Sequence, residues 1–252
     1  MNRILARVVN GWMSFYSGTL NKELMSLQSD VTGVANWNLF QSMLINSPEL
    51  MYGKFDDFSP GGLVSSTSLA GFSTTVVSSG TLVMADAAGG VLQLTPGGTE
   101  DHGVQIQTNG EMFLPAATKD IWFECRVRGN DVTEVDWFLG LCTTDTSIIA
   151  SNPNDAIGFW THDGDVNIDF EVADGTGTPT DTTSDLANNT WVRLGFYVNG
   201  VTSVTPYING TAGTAVTANI PAVEMALSFA CTTGEGSVNT LDIDWYKIVQ
   251  LR

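Results

Sequence analysis

Apolar and polar residues alternate with a period close to two from residue 55 to the end of the chain, most clearly over 121–128, 135–141 and 191–198. This period is typical of strands with one buried face, whereas an amphipathic helix repeats every 3.6 residues. The segments are separated by turn dipeptides that indicate hairpins: Asp163-Gly164, Asp174-Gly175, Asn199-Gly200 and Asn209-Gly210. The pattern predicts a mainly β fold, an antiparallel two-sheet sandwich over residues 55–252.

Residues 1–54 follow a different pattern, in which apolar residues recur at helical spacing. The sequence therefore predicts a short helical N-terminal segment, 1–54, that serves as an anchor or arm. Isolated helices of this length are marginal in water, so their apolar faces need a surface to pack on. Two alternatives stay open: the segment folds back onto its own domain, or it docks on a partner chain. The candidate docking residues are Ile4, Val8, Trp12, Phe15, Leu20, Leu24, Leu27, Trp37 and Phe40.

The distribution of charge favours the same division and limits the partners. Residues 1–54 carry four basic and three acidic residues, whereas residues 55–252 carry six basic and 24 acidic ones. A chain with a formal net charge of −17 repels phosphate groups, so we expect no nucleic-acid partner. No apolar run approaches the roughly 18 residues that span a bilayer, and the early apolar run is broken by Asn10-Gly11. We therefore expect neither a membrane protein nor export by the general secretory route.

Cysteine and acidic residues give little support to a metal site. Cys125, Cys142 and Cys231 lie at long, irregular spacings without a CxxC pair, so we expect three reduced thiols and assembly in a reducing cytoplasm. We expect no cofactor. Calcium is the one alternative left open, because an Asp-Gly-Asp turn and a polar loop supply carboxylates: Asp163, Asp165, Asp174, Asp181 and Asp185. Asp-Gly is more often only a hairpin turn.

The order of the predicted strands resembles the concanavalin A-like lectin/glucanase jelly roll. Three segments carry the resemblance: the aromatic strand and turn of 121–147, the hairpin of 190–211 with its Tyr-x-Asn-Gly turn, and the closing strand 241–251 with Asp242 and Asp244 on one face. The resemblance covers 55–252 and implies a jelly-roll sandwich. It implies no single function, because proteins of this fold include lectins, hydrolases and structural proteins.

Within this superfamily the chain is most similar to structural proteins of tailed bacteriophages. The residues behind this resemblance are Asp101–Thr108, Phe138–Ile148 and Ile157–Ile168. The resemblance implies a capsid decoration or cement protein assembled in the host bacterial cytoplasm and located in the virion. Its partner would be the major capsid protein or another virion protein, and it would form a homo-oligomer, such as a trimer at a lattice symmetry axis.

The strand Asn167-Ile168-Asp169-Phe170-Glu171 is the sharpest enzymatic candidate. Jelly-roll glucanases carry a similar Glu-x-Asp-x-Glu strand, whose alternating carboxylates flank the glycosidic bond. Asn167 stands at the nucleophile position, and an amide cannot form the glycosyl-enzyme ester. Two histidines, His102 and His162, lie beside predicted turns without a serine-nucleophile elbow. The sequence thus predicts no catalytic residues and a protein that is not an enzyme.

Two functions remain for the sandwich. The first is a non-enzymatic structural protein of a bacteriophage particle, which docks through residues 1–54. The alternative is a carbohydrate-binding, lectin-like module of a tail or head fibre, in which Trp160, Trp122 and Trp245 stack on sugar rings if they share one sheet face.

Overall fold

The computed structural model describes residues 4–9, 12–17, 22–28, 49–58, 63–85, 89–175 and 180–252. The chain divides into two compact units, Met1–Tyr52 with Arg252 and Gly53–Leu251. Within the described residues, no helix is long and apolar enough to cross a membrane.

The N-terminal unit contains an antiparallel sheet of three strands, β1 (Ile4–Val9), β2 (Trp12–Ser17) and β3 (Lys22–Gln28). The prediction of helices over these residues is wrong. Aromatic and β-branched residues, which favour strands, are frequent in β1 and β2, and helices of this length lack intrinsic stability. The sequence signal that was missed is Asn10-Gly11, a dipeptide typical of two-residue hairpins, between the paired residues Val9 and Trp12.

The nine candidate docking residues are not tested by this structure. Leu20, Trp37 and Phe40 lie outside the described residues. The other six belong to the three N-terminal strands, whose side chains also lie outside the described part of the chain: Ile4, Val8, Trp12, Phe15, Leu24 and Leu27. Docking through this segment stays a prediction.

The second unit is built almost entirely from strands and contains one short helix, α1 (Ile148–Ser151). Its strands, beginning with one that starts in the first unit, are β4 (Met51–Asp56), β5 (Leu63–Ser65), β6 (Ser68–Leu69), β7 (Phe72–Val77), β8 (Gly80–Ala85), β9 (Val91–Pro96), β10 (Gly103–Thr108), β11 (Ile121–Gly129), β12 (Val135–Cys142), β13 (Asp155–Thr161), β14 (Asn167–Asp174), β15 (Thr180–Asp185), β16 (Val192–Asn199), β17 (Ser203–Ile208), β18 (Thr211–Ala212), β19 (Ala226–Thr233) and β20 (Leu241–Leu251).

These strands form two large antiparallel sheets. The seven-stranded sheet has the order β15-β14-β13-β12-β19-β10-β7. The eight-stranded sheet has the order β18-β17-β16-β11-β20-β9-β8, with β4 also paired to β20. Strands β5 and β6 form a separate two-stranded sheet. Because neighbours in each sheet are often distant in sequence, the chain passes repeatedly between the sheets, and the prediction of an antiparallel two-sheet jelly-roll sandwich is confirmed.

Aromatic side chains join the inner faces of the two sheets. Phe229 of the seven-stranded sheet contacts Phe123 and Tyr246 of the other sheet, with ring centroids 6.3 and 5.5 Å apart. Phe170 contacts Phe196 in the same way, at 6.0 Å. Because these residues point inward, their neighbours along each strand point to the outer faces, where a ligand has access.

The predicted turn dipeptides connect strands as expected. Ile208 pairs with Thr211 across Asn209-Gly210. Both turn residues have positive φ, 51° and 84°, as a type I′ hairpin turn requires. Gly164 of the Asp163-Gly164 turn also has a positive φ, 80°.

Candidate functional site

The outer face of the seven-stranded sheet carries the polar residues that sequence analysis singled out. In β14, Ile168 and Phe170 are buried in the core between the sheets, so Asn167, Asp169 and Glu171 share the outer face. All three predicted positions therefore lie on one surface, as the two-residue period requires. Their environments differ sharply, because Asn167 and Asp169 are half-buried whereas Glu171 is 1% exposed.

Two glycines form the floor of the sheet beside Glu171. Glu171 pairs with Gly158 of β13, which pairs in turn with Gly140 of β12. A Cβ atom on Gly140 would lie 2.2 Å from the carbonyl oxygen of Ile157, and one on Gly158 would lie 2.6 Å from the ring of Phe138. Both positions need glycine because another side chain would collide with backbone or with that ring.

The carboxyl group of Glu171 is buried. Neither of its oxygens has a hydrogen-bond partner among the described residues. Burial raises its pKa, since removal from water disfavours the charged form. A carboxyl group in this state keeps its proton at a higher pH than an exposed one, which is the property that a proton donor needs.

Trp160, near the end of β13, and His162, just after that strand, lie on the same outer face. Trp160 lies opposite Asp169 in the sheet register and is 2% exposed, and its indole Nε1 has no hydrogen-bond partner among the described residues. The imidazole of His162 is parallel to the Trp160 ring, with 6.3 Å between centroids. The His162 Nε2 lies 3.8 Å from Asp169 Oδ2, and the His162 side chain is 54% exposed. A ring and a carboxylate are therefore accessible side by side.

Asp136 is a further acidic group on this face that sequence analysis missed. It precedes Trp137, which pairs with Thr161, so Asp136 lies beside His162. Burial raises its pKa from 3.8 to about 6, and the nearby Asp163 carboxylate acts in the same direction. The alternating pattern of β12 predicted an outward Asp136, but its partial burial depends on neighbouring strands that the sequence does not position.

A twelve-residue connection covers the centre of the face. We call Thr143–Asn154, which links β12 to β13 and contains α1, the cover segment. Its residue Ile148 is fully buried and belongs to an apolar cluster on the outer face, which contains Phe138, Cys142, Ala156, Trp160 and Ala230. Burial of a side chain of this size contributes about 1.5–3 kcal/mol to stability.

Two buried glutamines of β10 hold the cover segment in place. Gln105 donates to the carbonyl oxygen of Asp145 (2.6 Å) and accepts from the amide of Ile148 (2.9 Å). Gln107 accepts from the amide of Asp145 (3.0 Å) and donates to the hydroxyl of Ser228 (2.9 Å). Outward glutamines in a strand predict a solvated face, so no sequence pattern indicates these contacts with residues about 40 positions away in the chain.

The opposite outer face, on the eight-stranded sheet, carries ion pairs and the other two candidate tryptophans. Trp122 stacks on Tyr197 with 5.3 Å between centroids, and Lys247 lies over Trp245 at 4.9 Å. The interpretation of Trp160, Trp122 and Trp245 as one sugar platform is therefore wrong, because Trp160 lies on the other sheet. Asp242 and Asp244 both lie on this opposite face and pair with arginines, Asp242 with Arg128 (2.8 Å) and Asp244 with Arg126.

The remaining sequence candidates do not assemble into a site. No group of three or more His, Cys, Asp or Glu side chains within the described ranges is arranged to hold a metal ion. Asp165 instead accepts from the backbone and side chain of Asn167, which stabilises the turn. The three cysteines are free and buried, and Cys142 is the one that packs in the outer-face cluster.

Comparison with known protein families assigns the chain to one of them. The model of the SO2946-like C-terminal domain matches residues 87–244, which is more than half of the chain. No curated protein matches the sequence. Among solved structures, a protein of unknown function, SO2946 from Shewanella oneidensis MR-1, has a TM-score of 0.57 and 14% identity, covering 80% of this chain and 87% of that one.

Two further solved structures share the fold. A β-glucanase of Bacillus licheniformis has a TM-score of 0.53 and 14% identity, covering 78% of this chain and 97% of its own. Peanut lectin has a TM-score of 0.51 and 13% identity, covering 80% of this chain and 98% of its own. At these identities the likeness shows the fold alone, and it confirms the resemblance to the concanavalin A-like lectin/glucanase jelly roll.

These comparisons correct two predictions. The likeness to a β-glucanase contradicts the prediction that the protein is not an enzyme. That prediction relied on Asn167, which excludes one nucleophile but leaves a buried acid, Glu171, on the same face. The finer resemblance to phage structural proteins finds no support, because nothing in the comparisons points to phage capsid proteins.

The raised pKa of Asp136 predicts a specific dependence of stability on pH. The folded protein retains a proton that the unfolded chain loses, so this stabilisation is complete below the ordinary pKa of 3.8 and is lost as pH rises through about 6. In Asp136→Asn the decline in the free energy of unfolding between about pH 4 and pH 7.5 should shrink by ~1 kcal/mol, after allowance for partial solvent exposure. Urea unfolding at several pH values measures this difference.

The matched control is Glu224→Gln, which changes an exposed carboxylate of the same unit. It should leave the pH dependence of stability unchanged. If Asp136→Asn and the unaltered protein show parallel curves of stability against pH, Asp136 does not retain its proton in the folded state.

Proposed function

This chain belongs to the family of SO2946-like C-terminal domains, and from that premise we propose that its jelly-roll domain binds carbohydrate on the outer face of the seven-stranded sheet. The observation that supports this function most directly is the pairing of an accessible ring, His162 stacked on Trp160, with the Asp169 carboxylate 3.8 Å away. A sugar has an apolar face of C–H groups, which packs on a ring, and hydroxyl groups at its edge, which donate to a carboxylate. A ring beside a carboxylate can therefore make both contacts. The presence of a lectin among proteins of this fold is consistent with the proposal.

The charge of the domain indicates which carbohydrates it binds. Residues 55–252 carry 24 acidic and six basic residues. Four of those basic residues lie on the outer face of the eight-stranded sheet in ion pairs with carboxylates: Arg126, Arg128, Arg193 and Lys247. The face with His162 therefore repels sulfated and uronic-acid glycans, and we expect neutral glycans as ligands.

A glycan array containing neutral and acidic sugars tests this function. We expect saturable binding to neutral glycans, and a loss of affinity of about tenfold or more in Asp169→Asn or His162→Ala, since each removes a directional or stacking contact of roughly 1–2 kcal/mol. Asp120→Asn, which alters a carboxylate bonded to Tyr197 on the other sheet, is the control and should bind normally. Binding to acidic glycans alone, or equal loss in the control, would contradict the proposal.

Glycoside hydrolysis is a second candidate, which the buried carboxyl of Glu171 favours. Since Asn167 cannot serve as a nucleophile, the chemistry would be inversion: Glu171 protonates the leaving oxygen while Asp169 accepts a proton from the water that attacks the anomeric carbon. The Cα atoms of residues two apart in a strand are about 6.8 Å apart, and both side chains point to the same face. Inverting enzymes hold their two carboxyl groups roughly 6.5–9.5 Å apart, which leaves room for the attacking water. The fold is shared with a β-glucanase.

Hydrolysis of a mixed-linkage β-1,3-1,4-glucan tests this candidate. We expect product of inverted anomeric configuration, seen by NMR before mutarotation, and a loss of at least about a hundredfold in Glu171→Gln, as removal of a general acid produces. Asp155→Asn, at the far end of the same hairpin, is the control and should retain activity. Retained configuration, or full activity in Glu171→Gln, would exclude this mechanism.

The role in a virus particle stays a separate prediction from the sequence. It concerns the N-terminal unit, with the major capsid protein or another virion protein as partner, a homo-oligomer as the assembly state and the virion as location. Mass spectrometry of purified particles tests it, since a decoration protein would be present in a fixed ratio to the capsid protein.

A further inference from the structure

Three sequence segments that are far apart in the chain meet on the outer face of the seven-stranded sheet. Residues 101–108 contribute Gln105 and Gln107, residues 138–148 contribute Phe138 and much of the cover segment, and residues 157–168 contribute Trp160. Carbohydrate binding at the accessible end of this face does not by itself explain why the centre of the face is covered.

Two buried polar groups near the centre of this face lack a hydrogen-bond partner among the described residues. The Trp160 indole N–H lies in the same apolar cluster as Ile148 and has no acceptor among the described residues. Both oxygens of Glu171, on the neighbouring strand, also lack a partner within the part of the chain that the structure describes. Most buried polar atoms in folded proteins are hydrogen-bonded, so a buried donor and a buried acceptor on neighbouring strands of one face call for a ligand or a functional role.

Three polar side chains and one buried isoleucine are among the contacts that hold the cover segment. Gln105 and Gln107 form hydrogen bonds to its backbone, and Glu111 accepts from the amide and hydroxyl of Thr144 (2.6 and 2.9 Å). Its apolar contact centres on Ile148. Hydrogen bonds of this kind exchange readily for bonds to water, because their net contribution to stability is small. A segment attached in this way opens at lower free energy than the sheet beneath it.

We propose that the cover segment is a lid, and that Glu171 and the Trp160 indole N–H form a closed subsite beneath it for the hydroxyl groups of a neutral sugar. A sugar hydroxyl accepts from the indole N–H and donates to the carboxyl oxygen, which satisfies the unpaired groups together. This inference rests on the proposed carbohydrate function and deepens it, because it extends the site from His162 and Asp169 to the covered residues.

The three cysteines allow the opening of the lid to be measured without any ligand. Cys142 lies beneath the segment, whereas Cys125 and Cys231 face the core between the sheets. We expect iodoacetamide to label Cys142 at least tenfold faster than the other two, measured residue by residue with mass spectrometry on the folded chain. Equal labelling rates at all three thiols would show that the segment opens only on global unfolding and would overturn the lid.

Two matched isoleucine variants separate opening of the lid from general loss of stability. Ile148→Ala removes the apolar anchor of the lid, and Ile157→Ala removes an equally buried isoleucine from the inner face of β13. Ile148→Ala should accelerate labelling of Cys142 alone by about tenfold or more, whereas Ile157→Ala should affect all three thiols alike. Acceleration of all three thiols in Ile148→Ala would contradict the proposal.

Binding to the same neutral glycan array then tests the subsite. Because the closed lid reduces the apparent affinity by the fraction of open molecules, Ile148→Ala should bind more tightly by the same factor as its Cys142 labelling increases. Selective labelling with unchanged affinity would overturn the lid as a gate while leaving the proposed function intact. Absence of binding in both proteins would overturn the proposed function, and the subsite with it, whatever the labelling shows.

Discussion

The packing of the two sheets through their inner faces determines where every other group of this domain lies. Phe123, Phe170, Phe196, Phe229 and Tyr246 contact one another across the interface. Once these rings point inward, the two-residue period of a strand places the intervening residues on an outer face. The polar residues of β14 and the ion pairs of the eight-stranded sheet are both consequences of that single constraint.

The two outer faces differ in whether their carboxyl groups have described partners, and this difference indicates which face carries the function. On the eight-stranded sheet, charges neutralise one another, as in the pair of Arg128 with Asp242 and that of Lys247 with Glu124. On the seven-stranded sheet, Glu171 is buried beside two glycines and has no hydrogen-bond partner among the described residues. A buried carboxyl group without a partner reduces stability, so Glu171 is better explained by binding or catalysis than by folding.

Much of the architecture could be predicted from the sequence because alternation and turn dipeptides are local signals. Ile121 to Arg128 alternate inward and outward as expected, and Asn209-Gly210 forms the expected turn. The N-terminal strands were missed because apolar residues spaced at 4, 8 and 12 also fit a strand period, and Asn10-Gly11 was interpreted as a break. The burial of the Glu171 carboxyl group and the hydrogen bonds of Gln105 depend on segments that are distant in sequence. A local sequence pattern does not describe such contacts.

The most direct test of carbohydrate recognition on the seven-stranded sheet is an NMR titration of the ¹⁵N-labelled chain with neutral oligosaccharides. Each of the seven tryptophans gives one indole N–H signal, so the experiment distinguishes the two outer faces. We predict that the Trp160 signal shifts, together with amides of the cover segment, while those of Trp122 and Trp245 do not. Shifts of Trp122 or Trp245 with an unchanged Trp160 signal would contradict recognition on this face.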